Sequence, residues 1–174
     1  MQIQNIKSAF LCLILMFSLS LTSMAQDYMN NAKMGEILEK IGDKVEGESG
    51  NWQILYGERF LFILTDETHN RMRIFSPIAD QTEVTSKELE AMLEANFHAA
   101  LDAKYALYSG FVVSLFTHPL KELTEDQFKD AVKQVAVAAS NFGTTYSSTD
   151  LIFGGGDEPS ESDKKINQKP KKKT

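Results

Sequence analysis

Apolar positions along the chain change their period several times, and each change marks a new element. Over residues 30–46, Met34, Ile37, Leu38, Ile41 and Val45 recur at helical spacing, which predicts an amphipathic helix. The run from residue 47 to residue 50 contains two glycines and ends this pattern. Alternating apolar and polar residues over 51–79 then predict an antiparallel meander of three strands.

The middle strand of this meander is apolar at nearly every position. Residues 60–64 read Phe-Leu-Phe-Ile-Leu, so the residues at both alternating sets of positions are hydrophobic. A strand of this kind is typical of a sheet that is covered on both faces. We therefore expect it to be central and covered on both sides.

Two capping signals place the later helices. Thr85 followed by Glu88 predicts a capping box at the start of a helix over residues 86–101, and Thr124 followed by Gln127 predicts the start of a third helix. Strands over residues 104–108 and 111–117 lie between these helices. The order α-βββ-α-ββ-α predicts an α+β fold in which helices pack against an antiparallel sheet.

The N-terminal segment has the organisation of a secretory signal peptide. Lys7 precedes an apolar run, and small residues stand three positions and one position before a cut after Ala25. The alternative is an uncleaved anchor, but a membrane span needs about 20 apolar residues and this run is shorter. We expect residues 1–25 to be removed and the mature protein to be periplasmic or secreted in a bacterium. The lone Cys12 leaves with the signal peptide, so the mature chain lacks thiols.

Charge divides the rest of the chain into two parts. Residues 26–156 carry 20 acidic and 11 basic residues, a net charge of −9, which disfavours nucleic acid as a partner. Residues 154–174 are poor in large apolar residues and end in a lysine-rich run, which predicts a disordered tail after a single domain over residues 26–153. The tail either contacts an anionic membrane surface weakly or only increases solubility.

Residues that could carry chemistry are few. The densest polar group is Asp66, Glu67, His69 and Asn70, which is either a weak metal site or an ordinary polar hairpin tip. The sequence contains no H-E-x-x-H, C-x-x-C or G-x-S-x-G motif. We therefore predict no catalytic residues, no metal and no cofactor, and read Asn96 as a structural amide.

The predicted order of elements, together with several sequence segments, resembles the type III secretion chaperone-like fold and the related YbjN-type proteins. These segments lie between residues 51 and 142: residues 72–78, 89–96, 105–107, 112–115 and 119–120. The Leu-Glu-Ala-Asn sequence that ends at Asn96 is the most specific of these segments. The resemblance implies a small acidic protein, often a homodimer, that holds an unfolded segment of a client protein and has no catalytic residues. Secretion chaperones stay in the cytoplasm, so the predicted export signal sets this chain apart in location.

Three functions stay open at this stage. The first is an exported, non-catalytic protein-binding or chaperone-like module, with Trp52, Tyr56, Tyr105 and Tyr108 as its aromatic anchors. The alternative for each ring is packing in the core. The second function is a carrier of a small molecule or lipid in a cleft between sheet and helices. The third is an enzyme whose site the sequence does not reveal, for which a buried Asp66 or His69 would be the sign.

Overall fold

The computed structural model describes residues 28–149, and these form three helices and one six-stranded antiparallel sheet. The predicted α+β fold, with helices packed against an antiparallel sheet, is confirmed. The predicted signal peptide and lysine-rich tail lie outside the described residues. The elements, in chain order, are α1 (Asn31–Ile41), β1 (Lys44–Glu48), β2 (Asn51–Tyr56), β3 (Arg59–Asp66), β4 (Arg71–Asp80), a 3₁₀ turn (Gln81–Glu83), α2 (Ser86–His98), β5 (Lys104–Tyr108), β6 (Phe111–His118) and α3 (Glu125–Asn141).

The sheet has one strand more than the sequence predicts. Helix α1 ends at Ile41, and β1 follows where the apolar pattern extends the helix to residue 46. The chain leaves the helix because the backbone N–H of Asp43 donates to Leu55 O at 2.8 Å, which begins the pairing of β1 with β2. Gly47 lies in β1 with φ of +106°, a conformation that suits glycine. The sheet order is β1-β2-β3-β4-β6-β5.

Helix α3 crosses the sheet and supplies most of the core from the helical side. Its apolar stripe includes Phe128, Val132 and Val135, which are fully buried. Beneath it, Ser76 of β4 and Ser114 of β6 lie opposite each other in register. The Ser114 hydroxyl donates to Val135 O at 2.8 Å, so these small side chains let the helix backbone approach the sheet closely.

Helix α2 lies beside the β5 end of the sheet and begins at the predicted capping box. The Thr85 hydroxyl accepts from the Glu88 N–H at 3.3 Å, and Glu88 accepts in return from the Thr85 N–H at 2.8 Å. At the other end, the Lys104 ammonium donates to Asn96 O, Ala100 O and Leu101 O at 2.6–2.8 Å. A cation at this position satisfies carbonyls that the helix leaves unpaired.

The loop between α2 and β5 is fixed by a buried glutamine of α3. The Gln134 Oε1 accepts from the Asp102 N–H at 3.0 Å and from the Ala103 N–H at 3.2 Å. Its Nε2 donates to Asp130 at 2.7 Å. Because these amides are satisfied by one side chain, the buried loop avoids the cost of unpaired polar groups.

The predicted β5–β6 connection at Ser109-Gly110 is confirmed. Both residues have positive φ, 50° and 84°, as a two-residue type I′ hairpin turn requires.

Strand β3 is central, as predicted, but within residues 28–149 the helices cover only one of its faces. Leu61 and Ile63 are fully buried under the helices. Phe60 points the other way and is 52% exposed, and Phe62 and Leu64 beside it are half-buried. The expectation that both faces are covered was wrong, because α1, α2 and α3 all contribute to one core cluster, on the side of Leu61 and Ile63.

Candidate functional site

The uncovered side of the sheet is the strongest candidate for a functional surface. Side chains alternate along a strand, so those that share a face can be read from the register. Phe62 faces Phe75, Phe75 faces Leu115, and Tyr108 faces Phe111 across neighbouring strands. We call this surface the open face and define it by Phe60, Phe62, Leu64, Arg73, Phe75, Tyr108, Phe111, Val113 and Leu115.

Aromatic rings connect the strands across the open face. The Phe62 and Phe75 rings stack with centroids 5.1 Å apart, and the Tyr108 ring meets the edge of Phe75 at 5.5 Å. Tyr108 is 56% exposed and Phe111 is 46% exposed. Rings fixed in such contacts offer apolar area with little loss of side-chain entropy on binding. The open face is therefore an ordered aromatic surface.

A pocket of about 180 Å³ lies at the β5 side of the open face. Val113, which is only 2% exposed, lies at its base. The lining is mostly apolar, with one charged side chain, Arg73, among the lining residues in the described part of the chain: Leu64, Arg73, Phe75, Ala106, Leu107, Tyr108, Val113 and Leu115. The surface thus combines a recess for an apolar group with a nearby positive charge.

The four aromatic residues singled out in the sequence fall into different environments. Trp52 is 7% exposed and packs near Gly35 of α1. Tyr105 is 3% exposed, its hydroxyl donates to Ala138 O at 2.7 Å, and burial raises the pKa of that hydroxyl. Both are core side chains, which is the alternative left open for them. Tyr56 is half-buried, whereas Tyr108 is exposed and belongs to the open face.

The other residues of the open face were not singled out in the sequence. Phe60 and Phe62 of β3 and Phe75 of β4 are among its aromatic rings. The signal for the two β3 rings is the second set of apolar positions in that strand, which also predicts a second covering layer. An uncovered apolar strand face has the same sequence pattern as a covered one.

The polar hairpin tip between β3 and β4 has structural contacts. The Asp66 carboxylate contacts the exposed His69 ring at 2.7 Å and accepts from the His69 backbone N–H at 2.9 Å. This backbone hydrogen bond is the main reason why the pKa of Asp66 is lowered. Glu67 accepts from the Asn31 N–H at the start of α1, and Asn70 accepts from the Lys121 N–H at 2.7 Å. The tip therefore ties two other segments to the hairpin.

The reading of this tip as a polar turn fits its exposure better than the alternative of a metal site. Within residues 28–149, no three His, Cys, Asp or Glu side chains come together as metal ligands would.

Asn96 is a structural amide, as predicted. Its Oδ1 accepts from the Tyr105 N–H at 2.7 Å, and its Nδ2 donates to Tyr105 O at 3.1 Å. The amide thereby occupies the outward backbone groups of β5 and attaches α2 to the sheet.

Helix α2 carries a second, smaller apolar surface. Leu93 is 63% exposed and Phe97 is 69% exposed, and they lie four residues apart on the same side of the helix. Leu93 and Phe97 do not belong to the open face, so a substitution on this part of α2 is a control for substitutions on the open face.

A larger cleft of about 450 Å³ separates α1 from the start of α3. Three lysines and three glutamates contribute to its lining together with Met29, Ile37, Leu123 and Thr124. Charges of both signs are poor partners for a lipid chain, so the cleft does not favour a lipid carrier. Across the described residues, no helix is both long and apolar enough to cross a membrane.

Comparison with solved structures finds chains that are similar to this one in fold. The Yersinia pestis type III secretion chaperone SycH, in complex with a stable fragment of YscM2, matches with a TM-score of 0.50 at 12% identity, over 65% of this chain and 98% of that chain. The HopA1–SchA chaperone–effector complex matches with a TM-score of 0.49 at 11% identity, over 62% and 87% of the two chains. The ExsC–ExsE complex matches with a TM-score of 0.49 at 13% identity, over 64% and 92%.

The SycH match confirms the predicted resemblance at the level of the fold. At such identities the matches concern the fold alone, and a shared fold does not fix a function. No protein-family model and no curated protein matches the chain.

Proposed function

We propose that this protein is an exported, non-catalytic, chaperone-like module that holds a segment of a client protein on its open face. The observation that carries the proposal is the ordered set of rings from Phe62 through Phe75 to Tyr108, with the exposed Phe60 on the same face, which no helix of the described chain covers. Contiguous exposed apolar surface of this kind is typical of protein interaction sites. The fold shared with SycH, a chaperone seen with a partner fragment, supports the same reading.

A polypeptide client fits the open face better than a small molecule does. The pocket of about 180 Å³ is smaller than the roughly 300–1,000 Å³ of typical ligand sites. It can accept one side chain of a longer segment whose other residues lie along the neighbouring strands. Aromatic side chains at such a surface supply most of the binding energy in protein complexes.

The test is direct binding of a reduced, carboxymethylated reference protein that stays unfolded. We expect the mature chain to bind it, and the double variant Phe60→Ser/Phe75→Ser to weaken binding about tenfold, since two aromatic anchors contribute on the order of 1.4 kcal/mol or more together. Fluorescence anisotropy of the labelled reference protein gives the dissociation constant.

The control is Phe97→Ser, which removes from α2 a ring that is 69% exposed, compared with 52% for Phe60. Binding by this variant should stay within about twofold of the wild type. Equal weakening by the control and by the open-face variant would contradict the assignment of the site. A wild-type chain that does not bind the reference protein at all would contradict the function.

Export is the second part of the proposal and is supported by the sequence of residues 1–25. We expect the protein recovered from a bacterial periplasm or culture medium to begin at Gln26, as N-terminal sequencing would show. Recovery of a chain that still begins at Met1, in the cytoplasmic fraction, would contradict export.

A homodimer is the third part, and it is supported by the resemblance to the chaperone family. Light scattering coupled to size-exclusion chromatography gives the mass directly. We expect twice the mass of the mature chain, and a monomer at high concentration would contradict this.

A further inference from the structure

Arg73 is placed unlike the other arginines of the sheet. Arg59 donates to the Ser140 hydroxyl at 3.1 Å, and Arg71 donates to Asn70 O at 3.0 Å. The exposed Arg73 guanidinium, in contrast, makes no hydrogen bond or ion pair with any residue between 28 and 149. It stands on β4 opposite Leu64 of β3 and Thr117 of β6, at the rim of the open-face pocket.

The surroundings of Arg73 favour an anion with an apolar neighbour. Val113, Phe75, Tyr108 and Leu115 line the recess beside it, and none of them can neutralise a guanidinium. A guanidinium offers a planar set of donors that matches a carboxylate. The rest of the domain is strongly acidic, with a net charge of −9 over residues 26–156, so most of its surface repels acidic segments.

We propose that the pocket accepts a large apolar side chain of a client segment, and that Arg73 pairs with an Asp or Glu next to that side chain. The inference rests on the proposed function and gives the client a chemistry: apolar residues with an adjacent acid. The small volume of the pocket, about 180 Å³, fits one Leu or Phe side chain. An acidic neighbour places a carboxylate at the rim, where Arg73 has no partner among the described residues.

The experiment uses short fluorescein-labelled peptides of Gly and Ser that contain Phe-Xaa pairs, with Xaa as Asp, Asn or Lys. The mature wild-type chain should bind the Asp peptide about threefold to fivefold more tightly than the Asn peptide, the range for a solvent-exposed ion pair. It should bind the Lys peptide most weakly. Raising the salt concentration should reduce the difference between the Asp and Asn peptides.

Charge variants of Arg73 give the decisive comparison. Arg73→Gln should bind the Asp and Asn peptides equally, and Arg73→Glu should prefer the Lys peptide. Arg71→Gln is the matched control, because it removes an arginine that lies two residues away and already has a backbone partner. It should keep the preference for Asp. Unfolding curves of all variants check that the exposed substitutions leave the fold intact.

Three results would overturn the inference, and they separate it from the function that it refines. Equal binding of all three peptides by the wild type, with loss in Phe60→Ser/Phe75→Ser, would remove the role of Arg73 and leave the client-binding function standing. Failure to bind the peptides and the unfolded reference protein alike would overturn both. Palmitate that binds in an Arg73-dependent manner, while no peptide binds, would show that the occupant is a lipid.

Discussion

The two faces of the six-stranded sheet are both apolar, but in the part of the chain that the structure describes the helices cover only one of them. Strand β3 shows the contrast within a few residues, because Leu61 and Ile63 are fully buried while Phe60, the neighbour of Leu61, is half in solvent. The covered face is mainly aliphatic, and its aromatic rings, Trp52, Tyr105 and Phe116, are buried under the helices. The open face uses large rings that contact one another. Apolar side chains on the first face therefore serve stability, and those on the second are available for binding.

The largest expected loss of stability follows from a substitution in the core against the covered face. Phe128 of α3 is fully buried against the sheet, so Phe128→Ala removes apolar contacts and leaves a cavity. The free energy of unfolding should fall by about 3–5 kcal/mol. Urea denaturation followed by circular dichroism measures this loss. A loss below about 1 kcal/mol would mean that α3 does not hold the covered face as described.

A smaller difference in stability should distinguish substitutions of two serines that face each other beneath α3. Ser114→Ala removes the hydrogen bond to Val135 O and should cost about 1 kcal/mol. The Ser76 hydroxyl is buried without a hydrogen-bond partner among residues 28–149, so Ser76→Ala should be neutral or slightly stabilising. The same denaturation measurement compares the two variants. Equal losses for the two serines would show that the hydroxyl contacts are unimportant there.

A substitution on the open face should change the free energy of unfolding only slightly. Phe60 is 52% exposed, so Phe60→Ser should change the free energy of unfolding by no more than about 0.5 kcal/mol. The same substitution lowers the apolar area in contact with water and should reduce self-association, measured by sedimentation. A loss comparable to that of Phe128→Ala would mean that the open face is part of the core, and the contrast between the faces would disappear.

The smallest effect concerns α2, which flanks the sheet beside β5. Hydrogen bonds from Thr85 to the Glu88 carboxylate lower the pKa of Glu88 below its ordinary value of 4.5. A lowered pKa stabilises the fold above the unfolded-state pKa, and this contribution disappears as the pH falls through the folded-state pKa. The stability difference between wild type and Glu88→Gln should therefore be present at pH 7 and shrink as the pH falls below 4.5.

Thermal unfolding across this pH range measures the difference. Glu90→Gln is its control, since it removes the same charge from the same helix away from the cap. A difference between wild type and Glu88→Gln that stays constant with pH would contradict the capping contact.

Most of the architecture could be predicted from periodicity and capping residues. Thr85 with Glu88, and Thr124 with Gln127, marked helix starts that the structure shows as complete capping boxes. Strand β1 was missed because its exposed sequence, Lys-Val-Glu-Gly-Glu, has one apolar residue and no alternation to detect. Val45 also continued the helical spacing of α1, and only the pairing with β2 decides between the two readings.

The candidate site was harder to predict because exposure is decided by tertiary packing. Tyr105 and Tyr108 lie in the same strand, yet the first bonds to α3 and the second lies on the open face. Which ring is buried depends on where α3 crosses the sheet, and no local pattern records that position. Arg73 could not be recognised either, since what distinguishes it is the lack of a hydrogen-bond or ion-pair partner among residues 28–149, which only the folded chain shows.

The amide of Asn96 has a consequence for how extended chains can meet this sheet. Edge strands with free backbone groups recruit other strands and promote polymerisation. Asn96 blocks those groups at Tyr105 on one border, and β1 presents the charged side chains of Lys44, Glu46 and Glu48 on the other. An incoming strand therefore meets an occupied backbone position on one border and charged side chains on the other. Both features oppose edge-to-edge pairing, and so they lower the tendency of the exposed sheet to polymerise.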